Sequence, residues 1–413
     1  MGAVAFGITE FKVLDVLEST DGRSLKYIIE GRDKPITCCT CGVAGYLNVH
    51  GNKKRLIQDL PLAGKLVYLE LAERRYICSN CGHTFVEHFD SVDNRQFTKR
   101  LRAEIVRRVL HRETFTRIAN DYSIADKTVS RLFDEWTNDH AYMLRYDTPE
   151  VMGLDEAHID DKFRLVVTDN KDKILLDMLP NNKPATVLKF LRDLPDKGKV
   201  KAVTMDFFEG YANGVQKSFY PYKPLIVIDK FHVVQLLNRR MDAVRKRVHK
   251  EEKEKCVGTA RRLKNERKLF MSNIEDLDNE SLDKVSEWMK SYPVLEEAYV
   301  LKEMFREIYD LPERGFAAEA FDRWCNSIPD TLPEFLTLRD TFTSRREHIL
   351  NYFGYRVTNA FAESSNNIIK SIEKQGKGYD FDTLRKIALF SSRMEEFQKF
   401  DSKNAEYIKS WQF

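Results

Sequence analysis

Two apolar segments of strand type, each ending in an aspartate, constrain the fold of this chain more than any other feature. They are Val151-Met-Gly-Leu-Asp155 and Val200-Lys-Ala-Val-Thr-Met-Asp206, and the apolar pattern breaks after each of them. Carboxylates at the ends of neighbouring buried strands repel each other unless a cation lies between them. The two segments therefore predict a sheet with an acidic edge that binds metal.

A third acid, Glu363, lies in a later segment with helical periodicity. Ile368, Ile369 and Ile372 recur near helical spacing after it, which predicts a helix with one buried face. A single glutamate on a helix is usually a solvated surface charge. Beside two strand-end aspartates, an inward-facing Glu363 becomes the better interpretation. Glu156 and Glu209, which lie near Asp155 and Asp206 in the sequence, compete with those two aspartates as metal ligands.

Four of the seven cysteines form two Cys-x2-Cys pairs, and a glycine follows each pair. This spacing lets two thiolates face the same ion, so the pairs predict one structural zinc ion bound by Cys38, Cys41, Cys78 and Cys81. Cys39 adds a further thiol to the first pair, and His50 or His83 could replace one ligand. The odd number and the paired spacing favour metal binding in a reducing compartment over a disulfide framework.

Residues 114–133 have the layout of a helix-turn-helix. A first helix packs through apolar side chains, a short turn follows at Tyr122-Ser123, and Asp126 is expected to cap a second helix that fits the major groove. We expect four side chains to face outward from this second helix and contact DNA: Lys127, Thr128, Ser130 and Arg131. The alternative is an ordinary helical hairpin that serves as a linker.

Charge is locally segregated along the chain. The formal net charge is +3, from 67 basic and 64 acidic residues, which argues against a general polyanion-binding protein. We expect local basic groups near the cysteines and in a long helical segment to contact DNA phosphates: Lys53, Lys54, Arg55, Arg74, Arg75, Arg245 and Arg247. The alternative is that these groups form solvated faces only.

The 413 residues are enough for two to four domains. No apolar run approaches membrane-spanning length, and residues 1–7 lack the basic start and long apolar core of a signal peptide. We therefore expect a soluble, cytoplasmic protein that does not bind membranes.

Several motifs follow one another in an order typical of one protein family. They are Asp59-Leu-Pro61-Leu-Ala-Gly64-Lys65, Arg74-Arg75-Tyr76-Ile-Cys78-Ser-Asn-Cys81, Gly153-Leu-Asp155-Glu156, Asp229-Lys-Phe231-His232 and the helix of Glu363. With these motifs the chain resembles bacterial insertion-sequence transposases of the DDE type, and within that class the ISL3 family. It departs from the family pattern at Cys39, where proline is usual.

The resemblance implies roles for the acids and their neighbours. Asp155, Asp206 and Glu363 would be the catalytic residues and would bind two Mg²⁺ or Mn²⁺ ions, with Asp155 between them. Four residues would orient these ligands or the DNA: Asp229, His232, Asn359 and Asn366. Lys370, on the helix of Glu363, would contact phosphate.

The fold class that we expect is multidomain α+β. A three-strand meander followed by alternating helices and strands predicts a ribonuclease H-like α/β core, interrupted by an all-α insertion. The predicted domains are a zinc-binding β module (1–95), a helix-turn-helix (96–148), the first part of the core (149–238), the insertion (239–345), the second part of the core (346–395) and a helical tail (396–413).

The expected function is that of a transposase that binds the terminal inverted repeats of its insertion sequence, cuts there and transfers the strands. Its partners would be double-stranded DNA at the element ends and at the target, in a homodimer or a larger synaptic complex associated with the bacterial nucleoid. One alternative is a catalytically inactive DNA-binding regulator derived from a transposase. Another is a structure-specific nuclease without strand transfer.

Overall fold

The computed structural model describes residues 8–92 and 96–401, which form two compact units. The first unit holds the residues up to Arg145, Gln375–Tyr379 and the residues from Lys386 onward, and the second holds Tyr146–Lys374 and Asp380–Arg385. Part of the predicted tail, residues 402–413, lies outside the described residues.

A five-stranded sheet begins the first unit, in the order β1-β2-β4-β3 with β5 beside β4. Its strands are β1 (Phe11–Glu18), β2 (Ser24–Gly31), β3 (Leu47–Leu62), β4 (Lys65–Cys78) and β5 (Thr84–Val86). β1 and β2 pair antiparallel and form a hairpin. Alternate residues of β4, such as Val67, Leu69 and Leu71, are buried in the sheet core.

Three helices follow the sheet: α1 (Lys99–Leu110), α2 (Phe115–Tyr122) and α3 (Asp126–Asp139), with a short 3₁₀ helix at Ala141–Leu144. The predicted turn is present, and Ser123 adopts the left-handed conformation with a φ of +52°. The predicted cap is wrong: α3 starts after Ala125 without a side-chain cap, and the Asp126 carboxylate instead accepts a hydrogen bond from the Thr116 hydroxyl at 2.5 Å.

Buried Asp59 joins the sheet to the helices of the first unit. Its side chain is fully buried, and Oδ1 accepts hydrogen bonds from Thr98 Oγ1 and Arg100 Nε, both at 2.7 Å. Next to it, Gln58 Nε2 donates to the carbonyl of Tyr122 at 2.6 Å. The sheet and the helices, predicted as two domains, are therefore tied together where β3 meets the start of α1 and the end of α2.

The second unit is built on a sheet with the order β10-β9-β6-β7-β8. Its elements are β6 (Val151–Ile159), β7 (Lys162–Asp169), β8 (Ile174–Leu179), α4 (Pro184–Asp193), a 3₁₀ helix at Lys197–Lys199, β9 (Ala202–Met205), α5 (Glu209–Ser218) and β10 (Leu225–Ile228). The predicted meander is confirmed in β6, β7 and β8, which pair antiparallel. β9 pairs parallel with both β6 and β10.

Every regular element between Lys230 and Tyr355, a stretch described without gaps, is helical. These elements are α6 (Lys230–Lys255), α7 (Val257–Asn265), α8 (Arg267–Met271), a 3₁₀ helix at Ile274–Asp276, α9 (Asn279–Ser291), α10 (Pro293–Ile308), α11 (Arg314–Ser327), α12 (Pro333–Ser344), α13 (Arg346–Leu350) and α14 (Tyr352–Tyr355). They pack around a core that includes Phe305, Trp324 and Phe342.

Two further helices, α15 (Ala360–Gln375) and α16 (Phe381–Asp401), complete the described chain. Two predicted boundaries need correction, because residues 238 and 239 lie inside the continuous α6, and residues 395 and 396 lie inside α16. Among the described residues, no helix combines the length and the hydropathy needed to cross a lipid bilayer.

The buried contacts of Asp59 lead to a first prediction. Asp59→Asn leaves Arg100 without its carboxylate partner, and we expect the local free energy of opening to fall by about 3 kcal/mol. Hydrogen exchange of the α1 amides in the full chain should then become roughly 100-fold faster. Asp15→Asn, at an exposed position of β1, is the matched control and should change exchange little. Unchanged exchange in Asp59→Asn would contradict the structural role of this residue.

Candidate functional site

Strand register brings the two aspartates together. β6 and β9 run parallel, and Gly153 lies opposite Thr204. Two residues further along each segment, Asp155 and Asp206 are therefore opposite each other and on the same face of the sheet. Asp155 is buried, and Asp206 is half-buried directly after the end of β9. The alternation of strand side chains therefore produces the acidic edge that the sequence predicts.

Helix α15 places Glu363 beside this edge. Asn366 of α15 donates from Nδ2 to Asp155 Oδ2 at 2.7 Å. Glu363 precedes Asn366 by three residues, so both side chains lie on the same face of the helix. Glu363 Oε1 is buried and has no hydrogen-bond partner within residues 8–92 and 96–401.

Burial and neighbouring carboxylates raise the pKa values of Asp206 and Glu363 above their ordinary values. The buried Asp229 has a raised pKa for the same reasons, and its Oδ2 has no hydrogen-bond partner. A cation that neutralised these carboxylates would remove the repulsion.

His232, in the first turn of α6, is a basic side chain that faces this cluster. Its Nε2 lies 3.6 Å from Asp155 Oδ1. Burial disfavours the charged ring, but Asp155, Asp229 and Asp206 outweigh this effect and raise the pKa of His232. Asp155 therefore accepts a hydrogen bond from Asn366 of α15 and faces His232 of α6.

A buried polar network attaches the start of α15 to the sheet. Asn359 is fully buried, and its Nδ2 donates to the carbonyl of Leu154 at 3.3 Å. Its Oδ1 accepts hydrogen bonds from the Thr204 hydroxyl and, at 3.0 Å, from Asn170 Nδ2. Its backbone N–H donates to Asp229 Oδ1 at 3.0 Å. These contacts fix the helix one turn before Glu363.

Gly153 makes room for this network. A Cβ atom at residue 153 would lie 2.3 Å from Thr168 Oγ1 and 2.7 Å from the Asn170 side-chain amide. The glycine of the Gly153-Leu-Asp155 motif is therefore required by close packing. Sequence reasoning missed the roles of Thr168, Asn170 and Thr204, and the one signal for them is this glycine in a strand interior.

The two competing acids have other partners. Glu156 Oε1 accepts hydrogen bonds from the Tyr211 hydroxyl and, at 3.0 Å, from Asn182 Nδ2. Glu209 lies in the first turn of α5, where its carboxylate is 3.4 Å from Arg345. Asp155 thus has the contacts to α15 that Glu156 lacks.

The four cysteines form a second cluster. The Sγ atoms of Cys38 and Cys81 are 3.7 Å apart, and those of Cys41 and Cys78 are 3.8 Å apart. Four sulfurs at about 2.3 Å from one zinc ion are roughly 3.8 Å from each other, so this geometry fits tetrahedral zinc. Among the residues that the structure describes, these sulfurs form the only group of three or more potential metal ligands within 4.8 Å.

Alternative zinc ligands lie outside this group. Cys39 is exposed, and neither His50 nor His83 joins the four sulfurs. Backbone amides of Cys41 and Thr40 point at the sulfur of Cys38 and lower the pKa of its thiol to about 6. The first pair is therefore arranged to hold a thiolate.

Most of the predicted DNA-contacting residues are accessible. Lys127 and Arg131 are exposed, and Thr128 and Ser130 are half-buried, on the side of α3 opposite Val129. Four further cationic side chains among those predicted are exposed: Lys53, Lys54, Arg75 and Lys370. Lys54 lies 2.9 Å from Glu70, so part of its charge is already paired.

The structure does not support four of the predicted DNA contacts. Arg245 is buried, where it donates two hydrogen bonds to Asp242. Arg74 pairs with Glu87 and bonds to the carbonyl of Gly31 at 2.7 Å. Arg247 donates to both carboxylate oxygens of Glu334, at 2.9 and 3.2 Å. Arg55 forms an ion pair with Glu73 at 2.7 Å. These guanidinium groups hold neighbouring elements together.

The zinc geometry leads to a second prediction. Cys78→Ser removes one of four thiolates, so we expect loss of bound zinc together with loss of sequence-specific DNA binding. Zinc content measured on the purified protein and a binding assay check this. Cys39→Ser, at the neighbouring exposed thiol, should keep both properties. A Cys78→Ser protein that retains zinc and specific binding would refute the ligand assignment.

The close packing at Gly153 leads to a third prediction. Gly153→Ala should displace the Thr168 and Asn170 side chains at a cost of about 1–3 kcal/mol and loosen the start of α15. Hydrogen exchange of the amides around Asn359 should become faster. Gly51→Ala, on β3 with nothing within 4 Å of the added Cβ, is the matched control. Equal exchange in the two variants would exclude this role for the network.

Comparison with protein families gives three matches. The DDE transposase model of the ISL3 family matches residues 152–388, which is more than half of the chain. A model described as the zinc-finger of transposase IS204/IS1001/IS1096/IS1165 matches residues 34–81. The helix-turn-helix domain of transposase family ISL3 matches residues 91–137. No curated protein matches the chain.

The matched ranges cover the parts of the chain described above. The zinc-finger range contains the four clustered cysteines, and the helix-turn-helix range contains α1, α2 and most of α3. The transposase range contains Asp155, Asp206 and Glu363. The chain therefore belongs to the ISL3 family of DDE transposases, with an N-terminal zinc ribbon and a helix-turn-helix that bind DNA.

Proposed function

We propose that this chain is an active transposase that binds the terminal inverted repeats of its own insertion sequence. It cuts the DNA at the element ends and joins the freed 3′-hydroxyls to target DNA. One observation carries the proposal: acids from β6, from the end of β9 and from α15 converge, and a carboxylate oxygen of Glu363 is buried without a partner.

The donor set fits hard divalent cations. Carboxylate oxygens are the ligands that Mg²⁺ and Mn²⁺ prefer, and the raised pKa values of Asp206 and Glu363 reflect charge that lacks compensation. Two such ions would activate the attacking oxygen and stabilise the leaving oxygen in an in-line displacement at phosphorus.

The three acids would divide the coordination between them. Charge from Asp155 contributes to the raised pKa values of both Asp206 and Glu363. This supports a site in which Asp155, Asp206 and Glu363 together would hold the ions. The acids are more widely spaced than the four zinc-binding sulfurs, which suits a site for two ions about 3.5–4 Å apart.

Neighbouring residues would position these ligands without binding the ions. Asn366 holds one oxygen of Asp155, and His232 faces the other. Asp229 receives the backbone N–H of Asn359 and so orients the start of α15. Lys370, exposed further along α15, would contact a phosphate of the DNA.

The sheet order and the connectivity support a ribonuclease H-like core. An antiparallel meander continued by parallel β9 and β10 is the arrangement expected of that fold, with Asp155 on its first strand. The helices from α6 to α12 would be the all-α insertion, which begins within a helix that also carries His232. The core would then resume near residue 346 and include α15.

The reaction also implies an assembly. Two element ends must be joined to one target, so we propose that at least two copies of the chain act together in a complex with DNA. The zinc ribbon and the helix-turn-helix would bind the terminal repeats, with Lys127 and Arg131 of α3 directed at the major groove.

A fourth prediction tests the reaction. Glu363→Gln keeps the size of the side chain and removes its charge, so it should retain binding to element ends and reduce cleavage by at least about 100-fold. The assay incubates DNA from the flanks of the gene with Mg²⁺ or Mn²⁺ and measures nicks and joined products. Glu319→Gln, at an exposed position of α11, is the matched control and should behave as the wild type.

Three outcomes of this assay would change the assignment. Cleavage by Glu363→Gln would exclude Glu363 as a metal ligand. Discrete cleavage by the wild type without joined products would favour a structure-specific nuclease. Specific binding by the wild type without any metal-dependent cutting would favour a DNA-binding regulator derived from a transposase.

A further inference from the structure

Helix α6 carries a polar stripe that starts at the acidic cluster. His232, Gln235, Arg239, Asp242 and Lys246 follow one another at intervals of three, four, three and four residues. This spacing puts them on one side of the helix. The opposite side of α6 is apolar and buried in the helical core of the second unit. The stripe therefore leads away from the acids along an outer face.

A groove of about 470 Å³ lies beside the stripe, between α6 and α8. Arg239, Lys246 and Arg267 line it together with Gln235 and Asn238. Asn238 Oδ1 is buried and has no hydrogen-bond partner in the described part of the chain. The groove thus combines cations with amide groups, which is a suitable lining for a phosphodiester backbone.

Asp242 holds the cations of the groove in place. Its carboxylate lies 2.8 Å from Arg245, 3.0 Å from Lys246 and 3.1 Å from Arg267. Burial alone would raise the pKa of Asp242, but these cations outweigh it and lower the pKa. One carboxylate cannot neutralise three cations, so this group keeps a net charge of about +2 before Arg239 is included.

Two of these three cations remain accessible. Arg245 is buried, whereas the side chains of Lys246 and Arg267 are 68% and 58% exposed. Arg239 is also exposed, and its Nη2 donates to Gln235 at 2.7 Å. The surplus positive charge is therefore directed into the groove.

We propose that the α6 stripe binds the phosphate backbone of one DNA strand that runs outward from the scissile phosphate. This inference rests on the proposed function. A helix rises about 1.5 Å per residue, so Arg239 and Lys246 lie roughly 10 and 21 Å along α6 from His232. The two cations are therefore about 10 Å apart along α6, so they contact phosphates of the strand at two different distances from the cut.

The length of the stripe identifies its ligand. A free phosphate ion would contact one end of the groove only, whereas two cations that are seven residues apart on α6 match a continuous strand. Arg245 and Arg247 of the same helix are the DNA contacts that the sequence predicts. The structure assigns the DNA contacts of α6 to Arg239 and Lys246 instead, because those side chains line the groove.

The experiment replaces single phosphates of the DNA with neutral methylphosphonates, one position at a time on both sides of the cut. DNA binding by the full chain is measured for the wild type, Arg239→Ala and Lys246→Ala. The wild type should lose affinity at the contacted phosphates. Arg239→Ala should lose this sensitivity only at a phosphate nearer the cut, and Lys246→Ala only at a phosphate further from it, since each variant lacks one contact.

A salt titration on unmodified DNA gives a second readout. Combining Arg239→Ala and Lys246→Ala should reduce the slope of log affinity against log salt by about 1.8, which is about 0.9 for each phosphate contact. Arg323→Ala, which removes an exposed cation of α11 away from the groove, should match the wild type in both assays.

The wild type is also tested for cleavage of the unmodified DNA. Cleavage together with an interference pattern that both variants leave unchanged would overturn the inference alone. Absence of cleavage by the wild type would overturn the proposed function, and this inference with it.

Discussion

The attachment of α15 to the sheet through Asn359 is the constraint on which the acidic site depends. One buried amide bonds to the carbonyl of Leu154, to Thr204 and to Asn170, while its backbone N–H bonds to Asp229. These partners precede Asn359 in the chain by 130 to 205 residues. Buried polar groups in such a network are costly unless all are satisfied, so the network specifies one position for the helix and hence for Glu363.

The cysteine cluster and the acidic cluster differ in ways that match different purposes. The four sulfurs are soft ligands that lie close together and complete a tetrahedral set, so their geometry defines a closed structural site for zinc. The acids are hard ligands and are more widely spaced, and one oxygen of Glu363 has no hydrogen-bond partner among the residues that the structure describes. A buried oxygen without a partner destabilises the folded chain. It is characteristic of a site in which ions and substrate supply the missing partners.

Much of the fold could be predicted because its signals are local. The strands of the second unit and the helix-turn-helix follow from periodicity, and the zinc ligands follow from cysteine spacing. Contacts between distant residues could not be predicted in this way. The burial of Arg245 against Asp242, the pairing of Arg74 with Glu87 and the network around Asn170 depend on which segments meet in space. A basic residue in a charged run therefore reveals little about its exposure.

The buried carboxylate of Asp59 has a consequence for how such proteins can be recombined. It lies in the sheet of the zinc ribbon, but its partners Thr98 and Arg100 belong to the start of the helix-turn-helix. A foreign helix-turn-helix grafted after the ribbon would bury this charge without a counterion unless it supplied equivalent groups. Chimaeras that exchange DNA specificity should therefore transplant the ribbon and the helices as one piece.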